Sequence, residues 1–366
     1  MAEYGKVDGD FLERVVYPRL GADREEVRLG PTHGVDFGVV DVGGRALVVA
    51  TDPLSVLPQL GFERAARFAL DIVLADVAVS GLAPRYLSMN FTLPPGMTDE
   101  EFEQVWTAID AEASDLGLSV VTGHTARYEG CTYPWIGGAT AFATGAFDAV
   151  IRPDGARPGD KVVVSTGPGV EAVGLLTTLF GDRMDLPAET IDTARDRLAE
   201  TDTVRDALTA AAVSETSETS ETDGTGGTDG MNGSNETGGT NGTNGVTAIH
   251  DATECGLQGA LCEMAASSET RFEVERGKAP LRPGVETVCS HLGIDPWQVT
   301  SSGTLAITAP PDTCEAIVGA LEDRGTAAAI VGRVVEGSGM ALDGEDVSHP
   351  RVDPSWDVYA EYANGG

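Results

Sequence analysis

Between Glu63 and Ser80, "ERAARFALDIVLADVAVS" repeats apolar residues at helical intervals, and Phe68, Ala69, Ile72, Val73 and Val79 draw one face. At 3.6 residues per turn Asp76 projects within about 20° of Ala65, inside that apolar arc, whereas Asp71 lies about 140° round from it, beside Arg67 on the polar side. A second helical pattern covers Asp99–Leu116, where Thr98 with Glu101 three residues on reads as a capping box. Alternating or continuously apolar runs predict strands at Val35–Val42, Ala46–Thr51, Arg85–Leu93, Leu118–Thr122 and Ile136–Gly145. The order β-β-α-β-α-β-β places the helices on one face of a mixed sheet.

"IRPDGARPGDK" (Ile151–Lys161) concentrates chain breakers and marks a domain boundary. Beyond it, strands are expected at Val162–Ser165, near Val246–His250, and at Arg271–Glu275, Gly303–Ala309 and Ala328–Val335. Helices are expected from Val170, at Ile191–Ala212, Leu257–Ala266, near Gly284–Leu292 and at Asp312–Asp323. The fold class is therefore α+β in two domains, 1–150 and 151–340, with a tail at 341–366. Within the second domain, Ser214–Gly245 is acidic, rich in Gly, Ser, Thr and Asn, and has Met231 as its one hydrophobic residue. Such a segment cannot offset its ordering entropy by burial, so 214–245 reads as a disordered insertion.

Charge narrows the partners. The 366 residues carry 58 acidic and 24 basic side chains, a formal net charge of -34. That excess repels nucleic-acid phosphate and anionic lipid, so no nucleic acid and no membrane is expected as a partner. Acidic residues spread over the surface-reading segments, with Lys scarce, predict a surface adapted to high salt. Five cysteines (Cys131, Cys255, Cys262, Cys289, Cys314) at irregular spacing, without C-x-x-C, suit the reduced thiols of a cytoplasm better than a disulfide frame or zinc site. No run approaches the roughly 18 apolar residues of a membrane span, and the first residues lack a secretion signal's pattern, so the expected location is cytoplasmic.

Asp76 has acidic company. Asp52 closes the strand-like "ALVVATDP", and Asp36 stands in "THGVDFGVV" where a glycine-flanked turn enters a strand. A buried carboxylate is costly unless neutralised, and Mg²⁺ on phosphate oxygens neutralises it, so the three point to a hard-cation site. "VVTGHTARYEG" adds Gly123, His124 and Thr125 directly after a strand, where backbone N–H groups can approach a phosphate. Plainer readings stand beside these. Asp52 before Pro53 suits a helix N-cap, Asp36 a turn, Asp76 a buried ion pair and His124 a satisfied loop histidine. "STGPGVEAVGLL" suits an anion at a helix start, or only a tight turn.

Together "GVDFGVV", "TDP", "ADVAVSGLAP", "VTGHT", "PGDKVVVSTGPGVEAVGLL", "HDATECGLQGALCEMA" and "SSGTLAI" resemble, in order and spacing, the aminoimidazole ribonucleotide (AIR) synthase superfamily. That superfamily includes AIR synthase, the hydrogenase expression/formation protein HypE, thiamine-monophosphate kinase, selenophosphate synthetase and formylglycinamidine synthase. The resemblance runs from about Gly5 to Val335 and is closest to HypE-like, AIR synthase-related archaeal proteins. It implies an ATP- and Mg²⁺-using homodimer, paired through N-terminal sheets into a barrel, that activates an oxygen of a small-molecule or carbamoyl-type substrate by phosphoryl transfer.

Residue by residue, the resemblance places Gly34 and Asp36 in the family's glycine–aspartate turn, Asp52 at its Thr-Asp strand end and Asp76 at its helix Asp. These three acids are the implied metal ligands. Gly123, His124 and Thr125 match its Gly-x-Thr turn, Lys6 its flexible N-terminal Lys, and Gly167, Gly169 and Glu171 its second glycine-rich turn. Asp251 and Glu254 match a signature at a helix start; His124, Glu171 and Asp251 are the candidates for catalysis. Ala75 stands where the family usually has Asn, and Cys255 where it has Gly. HypE proteins carry a carbamoyl group on a C-terminal cysteine, whereas this sequence has none after Cys314. The alternatives are therefore a catalytically degenerate relative that binds a nucleotide or a protein partner and, with less support, a thiamine-monophosphate kinase.

Overall fold

The computed structural model describes residues 7, 9–213 and 245–363. Lys6 and the insertion at 214–244 lie outside them. A short turn α1 (Gly9–Phe11) precedes strands β1 (Val27–Leu29), β2 (Gly38–Val42) and β3 (Arg45–Ser55). Helix α2 (Phe62–Ala78), β4 (Tyr86–Leu93), α3 (Asp99–Leu116), β5 (Ser119–Arg127) and β6 (Trp135–Gly145) complete the first domain. The six strands pair in the order β1-β2-β3-β6-β4-β5, mixed because β4 and β5 run parallel. The sequence-predicted capping box starts α3: Thr98 Oγ1 accepts from Glu101 N at 3.1 Å, and Glu101 Oε2 accepts from Thr98 N at 2.8 Å.

Among the described residues, only one face of this sheet is covered by helices. Ala141, Ala143, Met89 and Val48 point into the layer of α2 and α3 and are buried. The opposite face carries Leu47, Val49, Phe142 and Tyr86, and its register lines up Thr51, Thr140, Ser88 and Thr122 across four strands. Strand β5 ends the sheet with all but one of its residues exposed.

The second domain contributes β7 (Lys161–Ser165), α4 (Val170–Phe180), α5 (Ala188–Arg195), α6 (Thr203–Ala211), β8 (Ala248–Asp251), α7 (Gly256–Ser267) and β9 (Arg271–Val274). It continues with α8 (Val285–Leu292), β10 (Leu305–Ala309), α9 (Pro311–Asp323), β11 (Ala328–Val335), β12 (Gly339–Leu342), β13 (Glu345–Val347) and α10 (Pro354–Ala363). Its sheet order is β13-β12-β9-β11-β7-β10-β8. Val162, Val164 and Ala306 face the core made with α7, while Val163, Ile307 and Ile249 join a core that continues through α6 and α9 into α2. One apolar interior thus ties the domains together.

Three expectations change. The helix expected over Ile191–Ala212 is broken between α5 and α6, because Glu200 turns aside to pair with Arg197 and Arg282 and Thr203 starts a new helix. The segment set aside as a tail at 341–366 holds the second half of β12 and all of β13, a hairpin turning at Asp343-Gly344, both at positive φ as a two-residue hairpin loop requires. Asp71, read as a polar-face residue, is enclosed at the domain junction: Thr203 donates to its Oδ2 through the hydroxyl at 3.0 Å and the backbone N–H at 3.4 Å. Burial, then the neighbouring Asp202 charge, pushes the Asp71 carboxyl up to about 8 despite those hydrogen bonds.

Candidate active site

Asp52 lies inside β3, which runs on through Pro53, so the N-cap reading fails and its side chain shares the covered side with Ala139 and Met89. Asp76, in the last turn of α2, meets it there. Asp36 enters from the loop before β2, and Asp251 arrives from the other domain at the end of β8. Burial, then the charges of Asp52, Asp251 and Asp36, holds the Asp76 carboxyl well above the usual carboxylate range, with a hydrogen bond to Asp52 adding to the effect. Four carboxylates from two domains therefore converge around one helix position, and no Arg or Lys is paired with Asp76 among the described residues. That removes the buried ion-pair reading.

Among the described residues, His250 supplies a nearby positive charge. Its Nδ1 donates to the Asp251 backbone carbonyl at 2.8 Å and lies 3.4 Å from Asp36 Oδ2, while Nε2 faces Glu263 Oε2 at 3.3 Å. Burial pulls its imidazolium down, but Asp36, Glu263 and Asp251 outweigh that and push it up to about 10. Asp36, His250 and Asp251 each place one ligand atom within 4.8 Å of the others'. Asp36 Oδ2 is buried without a hydrogen-bond donor among the described residues. An oxygen-rich, partly orphaned carboxylate cluster of this kind fits Mg²⁺, which takes one or two carboxylates and fills its remaining positions with water and phosphate oxygens.

Several sequence candidates lie elsewhere. Gly123, His124 and Thr125 form no turn: they are central in β5, paired in parallel with Met89, Asn90 and Phe91. The row Asp52–Ala139–Met89–Gly123 crosses four strands, so Gly123 is about 14 Å from Asp52 at normal strand spacing. His124 points to the uncovered face, where Nε2 meets the Tyr128 hydroxyl at 2.8 Å. Gly34, at φ +74°, is closed by α7, since a Cβ there would stand 3.0 Å from that of Glu263.

The second glycine turn is packed. A Cβ on Gly167 would meet the Pro280 carbonyl at 1.9 Å, and Gly169 N donates to Ser301 Oγ at 2.8 Å, so the turn is packed on Pro280 and one of its N–H groups is already engaged. Glu171 is spent on the neighbouring loop, accepting from Thr300 Oγ1 at 2.5 Å and Ser302 N at 2.8 Å. Glu254 accepts from Trp356 Nε1 at 3.0 Å, which ties α10 to the start of α7.

Sequence reasoning found Asp36, Asp52, Asp76 and Asp251 but passed over His250 and Glu263. His250 stood next to a chosen residue on a strand end; Glu263 is two turns into α7 and offered no local signal.

Comparison with known proteins places this site in a family. Residues 34–145 match the N-terminal domain of AIR synthase related proteins, and residues 236–345 match the C-terminal domain. A carbamoyl dehydratase HypE of Rhizobium leguminosarum bv. viciae is 26% identical over 336 residues, covering 90% of this chain and 84% of its own. A solved HypE–HypF complex superposes with a TM-score of 0.69 at 18% identity, over 93% of this chain and 100% of that one. A hydrogenase maturation protein HypE solved with ATP gives 0.61 at 22% identity, over 94% and 93%. Both halves match in order, and the chain belongs to the AIR synthase-related proteins.

Proposed function

We propose that this chain binds Mg·ATP against Asp36, Asp52, Asp76 and Asp251 and uses it to activate an amide- or carbamoyl-type oxygen, in the manner named for its HypE relatives. The observation that carries the reading is the convergence of four carboxylates on Asp76, an arrangement that repels itself unless a cation joins it. A cation held by these carboxylates would supply charge neutralisation to phosphate oxygens during phosphoryl transfer. The protein's own part is to hold those carboxylates on rigid elements, two of them on β3 and α2, so that little reorganisation accompanies binding. His250 fixes a positive charge behind Asp36 and Asp251 and limits their mutual repulsion. Phosphorylation of an amide oxygen turns a poor leaving oxygen into a good one, which is what a dehydration needs.

The working unit in this proposal is a homodimer paired through the uncovered face and exposed edge of the first sheet. Leu47, Val49, Phe142 and Tyr86 supply its apolar patch. Such pairing is also what brings Gly123, His124 and Thr125, remote from the cleft within one chain, to a junction between subunits. A protein partner that presents the substrate, as the HypE–HypF complex suggests for that relative, belongs to the same reading.

The test is thermal unfolding at molar salt with and without Mg·ATP. Wild type gains melting temperature from the ligand, as binding specific to the folded state requires. Asp76→Asn keeps its circular dichroism and loses most of that gain. A variant that melts early yet gains as much as wild type ends the proposal. ADP release that depends on an added carbamoyl substrate separates the enzyme from a binding-only relative.

A further inference from the structure

The sequence contains three lysines, and two of them, Lys161 and Lys278, open onto one cavity of about 480 Å³ on the second sheet. Arg271 and Arg333 line it too, so four cations share one hollow in a chain of net charge -34. Helix α9 covers this face of the sheet over Val163 and Ile307; beyond it, β11, β9 and β12 make the floor. Lys161, Arg333, Glu273 and Ala341 are successive register partners across β7, β11, β9 and β12. The meeting of Lys161 with Arg333 depends on a bulge in β11, where Val331 is the extra residue between Ile330 and Gly332. Without it Gly332 would stand opposite Lys161, so the bulge aims a second cation into the cavity. Like charges directly opposite one another on neighbouring strands destabilise a sheet. Glu273 answers only one of the two, its Oε2 accepting from Arg333 Nε at 2.9 Å. Lys161 has no carboxylate within ion-pair distance among the described residues.

We propose that this cavity binds a small phosphate ester with free hydroxyls, of the sugar-phosphate class, at a site separate from the carboxylate cleft.

The cleft's Asp251 is on β8, the opposite edge strand of the same sheet. Arginine forks and a lysine point charge are the groups that hold phosphate oxygens. Lys161 stands ready, and two of the other cations can turn to a ligand: the Arg333 and Lys278 side chains are 62% and 53% exposed, paired with Glu273 and Glu275. Ion pairs that exposed contribute little stability, so a phosphate draws either cation over at small cost. Arg271 is held more firmly, by Asp346 on β13 and the Ser338 carbonyl, and bounds the cavity on the hairpin side. Once their cations turn to the phosphate, Glu273 and Glu275 accept from ligand hydroxyls. The same two carboxylates repel a polyacidic protein segment, and the cavity's size is that of a small-molecule cleft. Both observations favour the ester over an acidic peptide.

The experiment is isothermal titration calorimetry of the full chain with ribose 5-phosphate at molar potassium chloride, where loose ion pairing is screened. Wild type is expected to bind one molecule per chain, at least tenfold more tightly than inorganic phosphate, which offers no sugar hydroxyls to Glu273 and Glu275. Lys161→Gln and the well-exposed Arg333→Gln, with unchanged circular dichroism, are each expected to weaken the ester tenfold or more. Asp76→Asn is expected to bind it as wild type does, so failure of the Mg·ATP reading does not carry over to this one. Four results overturn the site: no saturable binding in wild type, equal binding of ester and inorganic phosphate, wild-type affinity in the Lys161→Gln/Arg333→Gln double variant, or loss of binding in Asp76→Asn. A decaglutamate peptide that binds more tightly than the ester, and is lost in the double variant, overturns the ligand class and assigns the cavity to an acidic protein partner.

Discussion

Strands β8 and β5 both end a sheet, yet every residue of β8 is buried and all but one residue of β5 are exposed. The difference lies in what each chain terminus of hydrogen bonding meets. Ile249 of β8 packs into the core that contains Leu70, Val73 and Val77 of α2, so the first domain closes the edge of the second sheet. Nothing within the described residues closes β5, and the face beside it is only half-buried. An open edge next to an uncovered apolar face is a pairing surface unless charge or a covering element blunts it. One sheet is completed inside the chain; in the proposed dimer the other would be completed by a second copy.

Breaking the unfinished sheet should have the largest effect. Phe142→Arg places a charge in the middle of the bare face, and light scattering should show a dimer becoming a monomer, with substrate-dependent ADP release lost and the melting temperature little changed. A wild type that is already monomeric at micromolar concentration removes the comparison altogether. In the finished sheet the signature reverses. Ile307→Ala, fully buried between β7 and β8, should cost about 2–5 kcal/mol in denaturant unfolding and leave the mass of the assembly as it was.

The smallest effect concerns the seam between the domains. Asp71 faces Thr203 and Asp202, the latter ion-paired with Arg205 and Arg324. Its carboxyl titrates near 3.8 when unfolded and at about 8 when folded. The folded state therefore binds more protons across that window, and stability contributed by the protonated carboxyl is full below about 4 and lost as pH rises through about 8. Asp71→Asn should flatten this slope: its melting temperature matches wild type near pH 4 and exceeds it by a few degrees at pH 8. Equal slopes in the two proteins would show that Asp71 is open to water.

What the sequence could reveal followed the range of the interactions. Helix α3, its capping box and the alternation of β3, β4 and β6 are local, and they were legible. Asp76 was legible because a charge in an apolar arc contradicts its own helix. The break before Thr203 was not, since it rests on Glu200 turning aside to Arg282 and on Thr203 meeting Asp71, 132 residues away in the chain. The hairpin of β12 and β13 carried a readable Asp-Gly signal, hidden because the segment had been assigned to a tail. The packed state of Gly167 depends on Pro280, and the gathering of His33 and His349 on Glu263 depends on two loops and a helix meeting. No window of sequence holds that information.

Helix α2 serves two clients at once: Asp71 caps a helix of the other domain, and Asp76 stands among the carboxylates. The two are five residues apart, a fixed step of about 7.5 Å along the axis and 140° around it. A single-residue insertion between them would turn one side chain by about 100° while the other stayed in place. The interval from Asp71 to Asp76 therefore behaves as a ruler: what it conserves between the two sites is the count of residues.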